Sequence, residues 1–319
     1  MDRGQHRLSP SCSSHPVRKP AMSTVLSNPV IPRIERAVSL LADAVASDDE
    51  IPGLEQLAAA AAFSPYHFHR VYRALTGETV GHTVARLRML RALRLLSDPR
   101  QSVTDVAFAA GYETPQAFAR AFREVCGASP TELRAQPARV AAEMSRLTLA
   151  PAPSGDGELP LRVEVVSIEP FRVAALRNTG AYDDLDQVYE RLFGWAGERG
   201  LLDGLAGLFG MPREDRRDAA PDGYEFDAML AFDVPFESDT GAGVSAATLG
   251  GGRYARVRHV GAFTGLESLT DRVLAQWLPT SGEALREAPL YHQYLDDPEE
   301  VPEALLRTDI HIPLEAASR

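Results

Sequence analysis

"LEQLAAAAAFSPYHFHRVYRALTG" at residues 54–77 is written again, about fifty residues on, as "VTDVAFAAGYETPQAFARAFREVCG" at 103–127. In each copy apolar residues recur three and four apart on both sides of a break, the spacing of two amphipathic helices joined by a tight turn. Leu54, Leu57, Ala58 and Ala61 precede the break in the first copy, and Phe68, Val71, Tyr72 and Leu75 follow it. In the second copy Val103, Val106, Ala107 and Ala110 precede it, and Phe118, Ala121, Phe122 and Val125 follow. The turn chemistry agrees. Gly111 stands where the chain needs a positive φ, whereas the first copy places Ala62 there, at a cost of roughly 1 kcal/mol or more. Ser64 with Pro65, and Thr114 with Pro115, each pair a good N-cap with a residue suited to the first helical position. The pattern predicts a helix-turn-helix in tandem.

On the helix begun by Pro65 the inward stripe leaves Tyr66, His69, Arg70 and Arg73 outward. On the helix begun by Pro115 it leaves Gln116, Ala117, Ala119, Arg120 and Arg123. Arg can hydrogen-bond guanine in pairs, Gln can do so with adenine, and Ala or aromatic faces suit the thymine methyl. Two copies with matched turns, cores and outward arginines tell against an ordinary solvated face. The candidate DNA-reading residues are therefore Tyr66, His69, Arg70, Arg73, Gln116, Arg120 and Arg123, with Arg91 a candidate phosphate contact.

Three pieces, "FSPYHFHRVYRALTG", "RLRMLRALRLL" and "AGYETPQAFARAFREVCGASPTELR", together resemble the AraC/XylS-type DNA-binding domain over roughly Pro32 to Arg139. The resemblance implies two helix-turn-helix units joined by one long helix, here Thr79 to Leu96. It also implies that both second helices enter successive major grooves on one face of double-stranded DNA. A rigid connecting helix would fix that register.

The 319 residues suggest two domains. A net charge of −11 looks wrong for a DNA binder until it is divided along the chain. Residues 31–146 carry 14 basic and 13 acidic side chains, and residues 147–319 carry 15 and 30. The acidity belongs to the second half. From Tyr66 to Leu96 six arginines are accompanied by Glu78 alone, a local patch suited to phosphate contacts.

Residues 1–30 are rich in Ser, Pro and Arg without apolar periodicity, and are expected to be a disordered tail in which Met22 offers a second candidate start. No run of signal-peptide length and no stretch of about 18 apolar residues occurs, which argues for a cytoplasmic protein without a membrane partner. The helix expected from Pro32 to Ala46 would cover the first unit. Cys12 and Cys126 form neither a disulfide framework nor a metal-ligand spacing, and Cys126 reads as a packed thiol.

Residues 147–160, "LTLAPAPSGDGELP", read as a linker closing a domain at 31–146. Beyond it Leu161 to Ser167 and Arg172 to Arg177 alternate as strands do, and Asp184 to Arg199 returns to helical spacing. A second repeat follows. "RNTGAYDDLDQVYERL" from Arg177 aligns with "RHVGAFTGLESLTDRV" from Arg258 at an offset of 81 residues. Tyr224 to Val234 would close the first unit, and Leu290 to Leu295 with Thr308 to Pro313 the second. Two similar halves pack about a pseudo-twofold axis and leave a concave seam. The fold class expected is multidomain: an all-α, homeodomain-like tandem helix-turn-helix domain, then an α+β domain of two pseudo-symmetric halves at 161–316.

"RNTGAYDDL" (177–185), "RYARVRHVGAFTGL" (253–266), "PLYHQYLDDPEEVP" (289–302) and "TDIHIPL" (308–314) resemble the GyrI-like effector-binding domain. That resemblance implies a pocket for aromatic, often cationic, small molecules, lined by aromatics around a central Glu. His292 stands where the acid is expected, with Glu225 or Asp227 as replacements for its charge. Trp195, Tyr224, His292 and Tyr294 are the candidate effector-binding residues. No phosphate loop, metal-spaced cluster or nucleophile elbow occurs, so no catalytic residue, metal or cofactor is expected. The functional expectation is a sequence-specific DNA-binding transcription regulator, an activator, sensing a small aromatic molecule. A hydrolase, or a ligand-free module recruiting RNA polymerase, is the alternative for the second half.

Overall fold

The computed structural model describes residues 30–47, 49–149, 151–153, 161–217, 220 and 222–317. The expected N-terminal tail and residues 154–160 of the expected linker lie outside them. The first half is helical throughout. Helix α1 (Val30–Ser47) precedes a first unit of α2 (Leu54–Ala60) and α3 (Pro65–Thr76). Helix α4 (Val80–Leu96) leads to a second unit of α5 (Val103–Ala109) and α6 (Pro115–Cys126), and α7 (Pro130–Arg134) and α8 (Pro137–Thr148) follow.

The local causes are those the sequence shows. Ser64 accepts a hydrogen bond from the His67 amide, and Thr114 from the Ala117 amide at 3.1 Å, so side chains satisfy orphan donors of α3 and α6. Gly111 takes φ 79° in the second turn, and Ala62 takes φ 54° in the first, the one positive φ at a non-glycine among the described residues. Leu57, Ala58, Phe68, Val71 and Tyr72 form the core of the first unit, and Val106, Ala107, Phe118 and Phe122 that of the second. One position differs. Val125, expected inward, is 37% exposed, and Cys126 takes the buried place because the stripe of α6 runs 118, 122, 126. Burial pushes the Cys126 thiol up to about 11, which leaves it an inert packing group.

The basic run along α4 is largely internal. Arg86 pairs with the buried Glu78 at 2.6 Å and donates to the Leu147 carbonyl at 3.0 Å. Arg91, expected to contact phosphate, donates instead to the Val45 carbonyl in the last turn of α1. A cation at a helix C-terminus satisfies an orphan carbonyl and the helix dipole together. Helix α8 continues to Thr148 with Leu147 buried, so the connection begins later than composition suggests.

The second half is one antiparallel sheet of eight strands in the order β1-β6-β8-β7-β3-β4-β2-β5. Its strands are β1 (Val163–Ile168), β2 (Phe171–Gly180), β3 (Leu205–Pro212), β4 (Tyr224–Phe232), β5 (Val244–Leu249), β6 (Gly252–Val260), β7 (Tyr291–Tyr294) and β8 (Arg307–Leu314). The repeat is visible in the order itself, because exchanging β1 with β5, β2 with β6, β3 with β7 and β4 with β8 reverses it. Each half lends its first strand to the edge of the other, β1 on β6 and β5 on β2. Helix α9 (Leu185–Glu198) packs on β2 and β4. Helix α10 (Leu266–Arg272), a π-helical turn at Val273–Trp277 and α11 (Leu278–Ser281) form one run, of which Leu266, Leu269 and Val273 pack on β6 and β8. Strands β3 and β5 carry little sequence signal. "LAGLFGMP" has two glycines and a proline, and "VSAATL" is short and small-sided.

The two halves share a core. Leu274 and Leu278 of the α10–α11 run are buried among Phe68, Val71, Leu57 and Leu41 of the first helical unit. The core of the second unit contains residues of the helical half alone.

Candidate DNA-reading faces and effector cleft

The two second helices present their polar faces to different surroundings. On α6, Gln116, Arg120 and Arg123 are exposed, as the repeat predicts. On α3 the expectation of an outward face is corrected: Arg70 is 5% exposed, Tyr66, His69 and Arg73 are half-buried, and the face meets the second half of the chain. Tyr66 Oη donates to the Pro212 carbonyl at 3.2 Å, and Arg70 Nη2 donates to the Glu214 carbonyl at 2.7 Å. Arg73 Nη1 lies 3.3 Å from Asp215 Oδ2. His67, one turn back, bonds the Arg286 carbonyl through Nε2 at 2.8 Å.

Behind that contact lies the seam between α9 and α10. On this face Tyr294 of β7 is edge-on to Phe263 at 5.2 Å and to Tyr189 of α9 at 6.2 Å, with His292 beside it at 6.4 Å. Tyr224 of β4 sits 5.7 Å from Tyr182 and 6.0 Å from Phe226. Three of the four expected residues, Tyr224, His292 and Tyr294, therefore belong to one aromatic group. Trp195 does not join it. Its ring is edge-on to Phe236 and its Nε1 donates to Asp239 at 3.2 Å, at the far end of α9. Gly210 of β3 lies on the floor of the seam, where an added Cβ would come within 2.3 Å of Phe226 and 2.7 Å of the Tyr294 hydroxyl. A side chain there would fill the place where the rings converge.

The acids suggested as substitutes for the central Glu face elsewhere. Strand alternation puts Glu225 and Asp227 on the side opposite Tyr224 and Phe226, and Asp227 is bound bidentately by Arg177 at 2.6 and 3.0 Å. Glu267 of α10 occupies the seam instead. Its Oε1 lies 3.3 Å from Arg216, whose guanidinium covers the Tyr182 ring at 4.3 Å, while its Oε2 is buried without a hydrogen-bond partner. Burial first, and the charge of Glu267 among further causes, raises the hydroxyls of Tyr182, Tyr224 and Tyr294 above the usual phenol range. Glu267 is absent from the residues expected from sequence; its counterpart in the repeat, Asp186, is exposed, and helical spacing does not tell the two positions apart.

Comparison with known proteins decides the family. Residues 162–315 match the GyrI-like small molecule binding domain, and residues 57–136 match a helix-turn-helix domain. The probable transcriptional regulator YgiV of Escherichia coli K12 is 32% identical over 157 residues, covering 49% of this chain and 98% of that one. The chain is an AraC-type transcriptional regulator with a GyrI-like domain. The MmsAB operon regulatory protein of Pseudomonas aeruginosa is 40% identical over 81 residues, covering 25% of the regulator and 26% of itself. The crystal structure of the DNA-binding domain of AdpA with a target DNA is 32% identical, covering 38% of the regulator and 96% of itself at a TM-score of 0.28. Among the described residues of the regulator, no helix is long and apolar enough to cross a membrane.

The regulator buries two histidines on its sheet as neutral rings. Burial pushes His292 down to about 3, with Arg70 adding to the effect. Burial likewise takes His311, stacked on Tyr291 at 4.6 Å, down to about 4 against the opposing pull of Asp309. An unfolded His titrates near 6.5, so below that pH the unfolded chain binds more protons than the folded one. Their contribution is complete above pH 6.5 and is lost as pH falls toward 4 and then 3. Denaturant titrations should show stability declining over that window, less steeply in His292→Gln. Equal slopes in the two proteins would mean that His292 is charged when folded.

Proposed function

We propose that the regulator reads double-stranded DNA with Gln116, Arg120 and Arg123 of α6, and with Tyr66, Arg70 and Arg73 when α3 is accessible. We propose further that the seam between α9 and α10 takes a small aromatic molecule carrying a positive charge. The observation that carries the ligand reading is the buried Oε2 of Glu267, left without a hydrogen-bond partner although Oε1 pairs with Arg216, beside the aromatic group of Tyr182, Tyr224 and Tyr294 on which its charge acts. An aromatic wall with one acid favours a flat cation by ring contact and charge together. The neutral ring of His292 adds an acceptor and no opposing charge. In this reading the domain binds its ligand rather than hydrolysing it, and the protein works in the cytoplasm.

A thermal-shift screen with planar aromatic amines, each paired with a neutral isostere, tests the reading. A cation at a hundred times its dissociation constant should add about 2.7 kcal/mol. Glu267→Gln should weaken the cations roughly tenfold or more and leave the isosteres unchanged, because one charged hydrogen bond is worth about 1.5–3 kcal/mol. His292→Glu should strengthen the cations. Equal shifts from amine and isostere would refute the charge preference, absence of any shift would refute sensing, and consumption of the compound would make the domain a hydrolase.

A further inference from the structure

The polar face of α3 is engaged from within the chain, and by oxygens. The acceptors are the carbonyls of Pro212 and Glu214 and the carboxylate of Asp215, at the end of β3 and on the segment that follows it. Arg217 bridges Asp215 to Asp271 of α10, with bonds of 2.6 and 2.9 Å to the first and 2.7 and 3.1 Å to the second, so the segment is braced against the helix beneath it. DNA offers a reading helix the same chemistry, phosphate and base-edge oxygens. We propose that the segment Pro212–Arg217, which offers α3 two backbone carbonyls and the Asp215 carboxylate and is backed by Asp271, is an internal stand-in for DNA oxygens that holds the first reading helix, so that the regulator meets DNA through α6 alone until α3 is released.

This inference rests on the reading of α3 as a DNA-contacting helix. The asymmetry between the two units supports it. Their sequences match at the turn, the caps and the outward arginine, yet Arg70 is buried while Arg120 is exposed. Arg70 in its present place cannot touch a base edge. The apolar side of the same contact, Leu274 and Leu278 against Phe68 and Val71, sets the orientation of α3 on the segment. Arg70 is also common to both functional surfaces, since its charge acts on Tyr224 and His292 of the seam. A charged occupant of the seam would therefore act electrostatically on a residue of α3, and a two-state contact biased from both sides is how two sites become coupled.

The test uses the full chain and DNA selected from a random duplex pool. The wild type should select a motif confined to one major groove, and Asp215→Asn should select one extended into the neighbouring groove. Asp215→Asn should bind that longer site roughly 5- to 150-fold more tightly than the wild type does, the range of typical coupling between sites. Glu164→Gln, the same charge change on the exposed edge strand β1, should behave as the wild type. A second measurement needs no variant. Adding the longer duplex to the wild type should speed amide exchange at residues 211–217 and 285–288 as α3 leaves them. Identical motifs and affinities for wild type and Asp215→Asn, or unchanged exchange in those segments on saturation with DNA, would overturn the stand-in while leaving DNA binding intact. If no protein in the set selects any motif, the DNA reading itself falls and the stand-in with it.

Discussion

Arg217→Ala is expected to cost about 3 kcal/mol of folding stability, toward the lower end of the penalty for leaving a buried charge without its partner. The side chains of Asp215 and Asp271 are 2% and 5% exposed, and Arg217 binds both. The loss stays at the lower end because a third of the Arg217 side chain is in water, which screens the pair, and Arg73 remains beside Asp215. pH provides the check. Burial pushes Asp215 up, but the Arg217 hydrogen bonds and charge, with Arg70 behind them, more than offset it and hold the group well below the usual carboxylate range. Its contribution is therefore complete above the unfolded value of 3.8 and lost as pH falls below it. Asp271, raised by burial, works in the opposite sense and blunts this dependence. Denaturant midpoints for wild type and Arg217→Ala should differ widely at pH 7 and converge below pH 3. Arg217→Lys should recover part of the loss, since an ammonium restores charge but not the two-sided fork. A deficit under about 1 kcal/mol at pH 7 would mean that the bridge is too well solvated to brace the segment.

What the sequence showed and what it hid divide along a physical line. The helix-turn-helix units were legible because their determinants are local: caps at Ser64 and Thr114, positive φ at Ala62 and Gly111, apolar stripes within each helix. The repeat at 81 residues likewise announced the pseudo-symmetry of the sheet, although β3 and β5, with their glycines and small side chains, carry no periodicity of their own. Partners distant in sequence left no such mark. A polar stripe of Tyr66, Arg70 and Arg73 looks the same whether it faces water, DNA or a carboxylate in another domain. Leu274 and Leu278 look like ordinary core residues of their own helix, and only the fold shows that they serve the neighbouring domain. The candidate seam was half legible: Tyr224, His292 and Tyr294 meet there, Trp195 lies elsewhere, and Glu267 emerges only when α10 is laid over the sheet.

Leu278→Ala should show how firmly the two domains are joined. Leu278 is fully buried, and its neighbours include residues of the DNA-binding domain, so truncation should cost about 2–5 kcal/mol as in any well-packed core. Where that loss falls is the informative part. Trp195 lies in the GyrI-like domain away from the shared core, so with Trp277, which packs on that core, replaced by Phe throughout, tryptophan emission reports on that domain, whereas far-ultraviolet circular dichroism is dominated by the helices of the other. With a shared apolar core, the two signals should lose structure together in the wild type and separate in Leu278→Ala, as one cooperative unit becomes two. Leu133→Ala, in the core of the second helical unit, should lower the helical signal and leave tryptophan emission nearly unmoved. The same contact sets the energy scale for release of α3. Moving a two-state balance from 1:99 to 99:1 takes about 5.5 kcal/mol of differential binding, which is what DNA would supply to a helix docked to that degree. Leu278→Ala lowers the requirement by weakening the docked state, and should therefore raise DNA affinity while it lowers stability. Coincident transitions in the variant, with DNA affinity unchanged, would mean that the domains are joined by contacts other than Leu278.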